Sequence, residues 1–505
     1  MIPGNMTNAT WKKLANEYVV SLFPVFMLVD GFRGILQQRF GLGMPVAIKI
    51  QGRAVEYYYQ PGLWERAHNK LVSRIRKDPR YLRKIYLAME KKGNRLVRMS
   101  KPLTRVGPKQ SDSQLWRLYK DFVKGNLEVY SYGLILPLLD YQHSAFLTDE
   151  LTAILKRRRA ENKFLTLTTP LEETNLRRQD LDLLRLFAKF RRNPVLLRLL
   201  KDLPSGKLPD RLAGDFKPYW CLLKEHTANY NWVYYVYEGP AAEPEYFLDI
   251  IKDQMKRGID PARELAKFEK KKNRLRREQA AVTKSLKLSA YERQIVGLAR
   301  DSVVYKPWRR ELQSHAYYHA EFLLREIGRR LHLSLAQVRM LLPHEVRAGL
   351  LGRKVDIDEI NGRLKFVVYG APTSISCLAG EKARVFSKKH FPKERLGKLP
   401  KILSGTPAYK GRARGRVCIV NSPDDMEKMR EGDILVSATT NPNLMPAIRK
   451  AAAIVTDEGG LTCHASIVSR ELEIPCVVGL KIATQVFRDG DRVEVDATKG
   501  VVKKV

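Results

Sequence analysis

A histidine that follows a glycine pair near the C-terminus is the clearest candidate for chemistry in this sequence. The segment EGGLTCHASIVSR covers residues 458–470. The apolar run before it, 451–456, predicts a short buried strand, and Pro475 ends the helix just before a second apolar run at 476–480. His464 is therefore predicted to lie in a unit of strand, glycine turn and helix.

The predicted position of His464 suits a nucleophile that holds an anion. Thr462 is a favourable N-cap, so His464 is expected in the first helical turn, where backbone N–H groups lack partners and the helix dipole is positive. The imidazole is then neutral, and a phosphoryl group on it would be held by those N–H groups. We assign the cradling of phosphate to Gly459, Gly460, Thr462 and Cys463, because glycine lets a large ligand approach the backbone. A capping histidine beside a structural turn is the alternative.

Several further motifs follow one another in the last hundred residues. They are GTPA at 405–408, GDILV at 432–436, TNP at 440–442, DG at 489–490 and VEVD at 493–496. With the histidine segment, this block resembles the mobile phosphohistidine domain of the phosphoenolpyruvate-utilising enzymes, which include pyruvate phosphate dikinase, phosphoenolpyruvate synthase, enzyme I of the sugar phosphotransferase system and rifampicin phosphotransferase.

The resemblance implies a role for His464. In that family the histidine of an (S/T)H or CH motif carries a phosphoryl group between two distant sites. Leu461 stands where many members have arginine, so one phosphate contact of the family is absent. The segments 226–232 and 326–331 are similar to the helical middle region of the family's synthase-like and rifampicin-phosphotransferase-like members.

The chain is long enough for several domains. We predict a mixed α/β segment at 1–100, a mostly helical domain at 101–391 that binds substrate or partner, a linker at 392–400 and the mobile domain at 401–505. The fold class is therefore a largely α-helical N-terminal and central region, followed by a compact α/β swivelling phosphohistidine domain.

Periodicity gives the elements of these regions. Trp11, Leu14 and Tyr18 have helical spacing and predict a first helix, and 46–50 and 54–59 predict two strands. Further helices are predicted at 114–124, 183–190, 244–255, 260–286, 290–301, 308–331 and 334–342.

Two histidines of the central region have a spacing that would suit a metal site. His315 and His319 are four residues apart, with Glu311 and Glu321 nearby, a spacing that can hold a divalent metal. Because the full H-E-x-x-H pattern is missing, we favour a helix face that lines the interior or a cleft and predict no metal site. A third interpretation places His315, Tyr318 and His319 in a substrate cleft.

The net charge of +37 predicts attraction to polyanions. Basic runs occur at 156–159 and 270–277. The second continues a helix whose Leu265, Phe268 and Leu275 form a buried stripe, which leaves the charges as a solvated face. We favour that interpretation over a nucleic-acid site because no aromatic residues are interleaved as stacking platforms.

Cysteine usage and the N-terminus bear on location. The five cysteines are scattered without C-x-x-C spacing, which fits a reducing compartment. No secretory signal is recognised, and the apolar run at 18–29 is too short to span a membrane. We expect a soluble cytoplasmic protein that has no membrane partner.

The resemblance also implies a phosphoryl donor, an acceptor and a partner protein for this chain. Residues 1–100 contain no glycine-rich phosphate loop or segment like an ATP-grasp domain, which charges the histidine in several members of the family. We expect a phosphotransferase component in which His464 receives a phosphoryl group from ATP on a separately encoded ATP-grasp protein. The helical region would bind the acceptor, which could be a small molecule. No cofactor is expected to bind tightly, ATP and Mg²⁺ come through the partner, and synthesis of phosphoenolpyruvate by this chain alone is not predicted.

Two alternatives remain open. The chain could be a basic protein that binds nucleic acid or protein, with a histidine domain that docks and transfers nothing. It could also be a subunit that only regulates an ATP-grasp partner. Detection of a phosphorylated intermediate would distinguish the carrier function from both alternatives.

Overall fold

The computed structural model describes residues 11–18, 20–52, 54–141, 144–370, 377–392, 400–461 and 463–505. The chain divides into two compact units. Unit 1 consists of Met1–Phe146 and His319–Val505, and unit 2 is Leu147–Tyr318.

Most strands of the described residues belong to two sheets. In chain order the strands are β1 (Lys12–Tyr18), β2 (Val46–Gln51), β3 (Ala54–Tyr59), β4 (Asp140–Tyr141), β5 (Ser144–Ala145), β6 (Phe366–Tyr369), β7 (Cys377–Ala379), β8 (Ile402–Ser404), β9 (Thr406–Tyr409), β10 (Arg412–Ile419), β11 (Ile434–Ser437), β12 (Ala453–Thr456), β13 (Cys476–Val478), β14 (Arg492–Asp496) and β15 (Val501–Lys504). One sheet has the order β1-β3-β2-β6-β7 and the other the order β8-β15-β14-β10-β11-β12-β13-β9, while β4 pairs with β5.

Helices make up most of the N-terminal and central region, which confirms that part of the predicted fold class. No helix among the described residues is long and apolar enough to cross a membrane. The α-helices are Leu22–Asp30, Leu36–Phe40, Pro61–Lys77, Arg80–Ser100, Asp112–Gly133, Ile135–Leu138, Phe146–Arg157, Phe164–Thr168, Asn175–Phe190, Pro194–Asp202, Leu208–Asp215, Lys217–Tyr230, Pro244–Lys256, Pro261–Ser285, Ala290–Leu331, Leu335–Val338, Pro343–Leu350, Ile357–Lys365, Gly380–His390, Met445–Lys450, His464–Leu472 and Ala483–Val486. A π-helix spans Gly31–Ile35, and 3-10 helices span Lys101–Arg105, Glu161–Lys163, Ser205–Lys207, Asn231–Tyr234, Pro423–Lys428 and Pro442–Leu444.

The first predicted helix is wrong, because its residues form the strand β1. β1 pairs with β3 in antiparallel register, and Lys13 reaches across to Glu56, with 3.4 Å between the charged atoms. Trp11 is buried, whereas Leu14 is 38% exposed. The spacing of Trp11, Leu14 and Tyr18 therefore does not mark one buried helix face. Cross-strand pairing outweighs the local pattern.

The N-terminal sheet takes two strands from the region predicted to be helical. β6, with the sequence FVVY, is buried along its length and pairs with β2, and β7 pairs with β6. The helix Gly380–His390 covers one face, where Ala383 packs in a cluster with Trp11 and Val368. Apolar β-branched and aromatic runs of this length favour a buried strand, and this one was not predicted within the mostly helical region.

The long helix Ala290–Leu331 joins two helices that were predicted separately. Pro307 lies inside it, although proline removes one backbone hydrogen bond and usually costs about 3 kcal/mol in a helix interior. Apolar residues such as Val303 and Leu312 are buried on either side. Burial on both sides of the proline supports the continuous helix, so the predicted break is wrong.

The C-terminal sheet combines parallel and antiparallel pairs. β10, β11, β12 and β13 run parallel, while β14, β15, β8 and β9 are added in antiparallel register. Val436, Val455, Val477 and Phe487 belong to its buried core. β8 and β9 lie at opposite ends of the strand order but are separated by Gly405 alone, so the sheet must curl until its two edges meet there.

Closure of the sheet at Gly405 gives a stability prediction. A Cβ on this residue would lie 2.6 Å from the carbonyl oxygen of Val478 and 3.0 Å from Cδ1 of Leu480. Gly405→Ala is therefore expected to lower the free energy of unfolding of this domain by about 1–3 kcal/mol, as measured by calorimetry on the full chain. Gly460→Ala is the control, because its Cβ would meet no heavy atom within 4 Å. Equal losses in both variants would contradict the prediction.

Candidate functional site

The loops that follow β11 and β12 lie side by side at the carboxyl end of the parallel strands. The N–H of Asp457 donates to the carbonyl of Ser437 at 3.0 Å, and the N–H of Glu458 donates to that of Ala438 at 3.0 Å. This pairing extends beyond the ends of the strands. Such edges of parallel sheets are where ligands commonly bind, and here the pairing brings two distant chain segments together.

His464 is the first residue of the helix His464–Leu472. The carbonyl of Cys463 accepts the first helical hydrogen bond, from the N–H of Ile467 at 3.0 Å. Because Cys463 has an extended backbone and occupies the N-cap position, the prediction that Thr462 is the N-cap is wrong. Thr462 itself lies outside the described residues. His464 still lies in the first turn, where the backbone N–H groups are oriented toward solvent or a ligand.

The imidazole of His464 is oriented by Thr440. The Thr440 Oγ1 and His464 Nδ1 atoms lie 2.9 Å apart, and Thr440 is buried. A neutral ring that donates from Nδ1 to this hydroxyl has its lone pair on Nε2. The hydroxyl can donate or accept in this contact, and the tautomer in which Nδ1 donates is the one that leaves Nε2 able to act as a nucleophile.

Sequence reasoning included Thr440 in the TNP motif but gave it no role in the site. The following residue, Asn441, accepts from the N–H of Asn443 at 2.9 Å and caps the 3-10 helix Pro442–Leu444. The turn fixed in this way presents Thr440 to the ring. A threonine next to a capping asparagine was the available signal.

The glycine pair has two different roles in the loop. Gly459 has φ of +114°, and a Cβ there would lie 2.7 Å from Sγ of Cys463, so the loop needs glycine at this position. Gly460 is exposed, and its carbonyl accepts from the Ser466 hydroxyl at 2.8 Å. Cys463 Sγ lies 3.4 Å from that same hydroxyl. The cradling of phosphate by this loop stays a prediction.

Arg470 stabilises the loop from the next turn of the helix. Its Nε donates to the Ser466 carbonyl at 2.7 Å, and its Nη2 donates to the carbonyl of Leu461. Burial lowers the pKa of Arg470. Leu461 thus supplies a backbone acceptor that ties the loop to the helix.

The other predicted site residues lie on one long helix. In unit 2 the ring of His315 stacks on Trp232 with 4.1 Å between centroids, and the amide of Asn231 donates to the hydroxyl of Tyr318 at 2.9 Å. His319 belongs to unit 1, and burial lowers its pKa to about 4. A cleft formed by the three residues stays a prediction.

The two glutamates beside these histidines have other partners. Glu311 accepts from the side chain of Asn175 at 2.6 Å, and Glu321 accepts from Arg339 at 2.9 Å and from Arg325 at 2.7 Å. Within the described part of the chain, no group of three or more His, Cys, Asp or Glu residues could hold a metal ion.

The family comparison agrees with this geometry. Residues 429–500 match the family described as PEP-utilising enzyme, mobile domain. The C-terminal region contains a phosphoenolpyruvate-utilising enzyme mobile domain. The match covers β11 to β14 and the helix that begins at His464, so it confirms the resemblance predicted from the sequence motifs.

Similar proteins include three named as phosphoenolpyruvate synthases. The probable phosphoenolpyruvate synthase of Archaeoglobus fulgidus is 38% identical over 217 residues, which are 40% of this chain and 28% of that protein. The phosphoenolpyruvate synthase of Pyrococcus furiosus is 51% identical over 111 residues, 22% of this chain and 14% of that protein. That of Pseudomonas aeruginosa is 36% identical over 159 residues, 30% and 18% of the two chains. Each match spans less than a third of the length of the relative.

Among solved structures, a chain of Thermococcus kodakaraensis aconitase X aligns with a TM-score of 0.17 and 19% identity. The alignment covers 21% of this chain and 99% of that one. A score this low supports no argument about fold or function. The mobile domain is therefore identified by its family match and by the synthase relatives.

Proposed function

We propose that this chain is a phosphotransferase component in which His464 is transiently phosphorylated. The observation that carries the proposal is the 2.9 Å contact between Thr440 Oγ1 and His464 Nδ1 at the start of a helix in the mobile domain. A neutral imidazole whose Nδ1 donates to Thr440 has its lone pair on Nε2, the nitrogen that would attack phosphorus. Nε2 is buried in this structure, so transfer requires the ring to be uncovered. The names of the similar proteins support the same chemistry.

The transfer that follows from this geometry is in-line. The lone pair of His464 Nε2 forms a bond to phosphorus while the bond from phosphorus to the leaving oxygen breaks. The proton on Nδ1 stays in its hydrogen bond to Thr440, and the N–H groups of the first helical turn stabilise the negative charge of the phosphoryl oxygens. In the second step an acceptor oxygen attacks phosphorus, and the imidazole leaves as the neutral ring.

For the donor we propose ATP on a separate ATP-grasp protein, with Mg²⁺ bound to the nucleotide. The proposal rests on the match of residues 429–500 to the mobile domain of PEP-utilising enzymes. For the acceptor we propose a small molecule bound by the helical region at 101–391. All five cysteines are free thiols in the structure, which supports a cytoplasmic location.

The test is the intact mass of the purified full chain after incubation with ATP, Mg²⁺ and extract of its host. A gain of one phosphoryl group that is labile in acid and stable in base is the expected result. The extract must first be shown to contain active phosphotransferases. If a folded chain then gains no such group, the carrier function is wrong and the binding or regulatory alternatives take its place.

A second candidate function is binding of nucleic acid, for which the helix Pro261–Ser285 offers exposed basic side chains. Within the basic run at 270–277, Lys270, Arg276 and Arg277 are exposed. Leu265, Phe268 and Leu275, which were predicted to form a buried stripe, are half-buried. Binding of RNA or DNA that weakens steeply with salt and is unchanged by His464→Ala would support this function.

A further inference from the structure

Among the described strands, β1 lies at the edge of the N-terminal sheet and pairs with β3 alone. Unpaired N–H groups on such an edge readily bind another chain segment. Here the backbone N–H of Asn16 donates to Oε1 of Glu458 at 2.9 Å, across 442 residues of sequence. The loop that leads to His464 therefore covers part of this edge.

A second group on β1 also lies near the mobile domain. Burial raises the pKa of Tyr18, Lys13 lowers it, and the charges of Asp457 and Asp425 raise it further. Asp457 precedes Glu458, whereas Asp425 lies in the 3-10 helix Pro423–Lys428. Charges on two separate segments of the mobile domain thus act on β1, beside the hydrogen bond between Asn16 and Glu458.

We propose that β1 is the docking surface for the loop at 457–461 of the mobile domain, that Glu458 holds the loop there, and that the domain undocks by exchanging this bond for water. The occupant of the surface is a segment of the same chain. The proposal concerns docking alone and holds whether or not His464 carries a phosphoryl group.

The charges around Glu458 make this docking sensitive to pH. Burial is the main cause that raises its pKa to about 8, and Glu17 on β1 and the adjacent Asp457 raise it as well. The N–H of Asn16 and the charge of Lys13 act in the opposite direction. A docked carboxyl with a raised pKa is mostly protonated at neutral pH, and its carbonyl oxygen accepts the hydrogen bond.

The sign of the pH dependence follows from linkage. The free loop has the ordinary glutamate pKa of 4.5 and the docked loop has a pKa of about 8, so docking takes up a proton between these values. The docking equilibrium is strongest below pH 4.5 and falls about tenfold per pH unit as the pH rises toward 8. Above pH 8 it levels off, because both states are ionised.

Hydrogen–deuterium exchange of the full chain tests the proposal at the amide of Asn16, resolved by fragmentation of the β1 peptide. After correction for intrinsic exchange rates, we expect its protection to fall by up to about tenfold between pH 6.5 and 7.5. Glu458→Gln keeps an acceptor oxygen without the charge, so its protection is expected to stay high and independent of pH. Glu458→Ala should lose protection at every pH.

Controls separate docking from folding and from phosphoryl transfer. Glu427→Gln removes an exposed carboxylate of the same domain and should behave as wild type, and amides of β2 and β12 should be unchanged in every variant. His464→Ala should retain full protection of Asn16 even though it transfers nothing. Wild-type protection that does not vary with pH, or a Glu458→Gln variant that follows the wild-type pH trend, would overturn the proposal.

Discussion

His464→Ala is expected to lose the phosphoryl adduct completely while the chain stays folded. The carrier function depends on the Nε2 lone pair of this imidazole, and no other group in the proposed reaction replaces it. Alanine is a good helix former, so the helix His464–Leu472 should persist. Intact mass after incubation with ATP, Mg²⁺ and host extract measures the loss, and circular dichroism reports the fold.

His344→Ala is the matched control for that experiment. His344 is exposed in the first turn of the helix Pro343–Leu350, so it shares a position near a helix N-terminus with His464. It lies outside the mobile domain. We expect the full adduct in this variant. An adduct that persists in His464→Ala and disappears in His344→Ala would place the carrier histidine elsewhere.

Much of the mobile domain could be predicted because its signals are local. The runs ILVS, AIVT and CVV are β11, β12 and β13, each buried along its length. Glycine and proline bound these runs, and short apolar runs with such boundaries favour buried strands. The prediction of a strand, a turn and a helix around His464 was correct for the same reason. Its N-cap was missed by one residue, because Cys463 caps the helix through its backbone geometry and not through a side chain.

The features that sequence reasoning missed depend on distant pairing. Thr440 meets His464 across 24 residues, and only because β11 and β12 run parallel in register. β1 and β6 join one sheet although more than 300 residues separate them, and Trp11 packs in the core beside Val368. A local pattern cannot encode such contacts, since the same apolar spacing fits a helix or a strand until a partner strand is known.

Substitution of Thr440 is expected to have the second large effect, on the rate of His464 phosphorylation. Thr440→Val keeps the shape of a buried side chain but removes the hydroxyl that accepts from Nδ1, so the ring loses the contact that fixes its tautomer and orientation. Phosphorylation of His464 is expected to slow on the order of 10–100-fold, measured as the initial rate of adduct formation. Thr440→Ser keeps the hydroxyl and should recover most of the rate.

A purely structural role for Thr440 would not alter the protonation of the ring, and this separates the two explanations. In wild type and Thr440→Ser, nitrogen chemical shifts of His464 should show the neutral tautomer with its proton on Nδ1, because the hydroxyl accepts that proton. In Thr440→Val the proton should move toward Nε2, which removes the lone pair from the nitrogen that attacks phosphorus. A slow Thr440→Val variant that keeps the Nδ1–H tautomer would instead mean that Thr440 acts by packing alone, and that Nε2 is selected by the helix terminus without it.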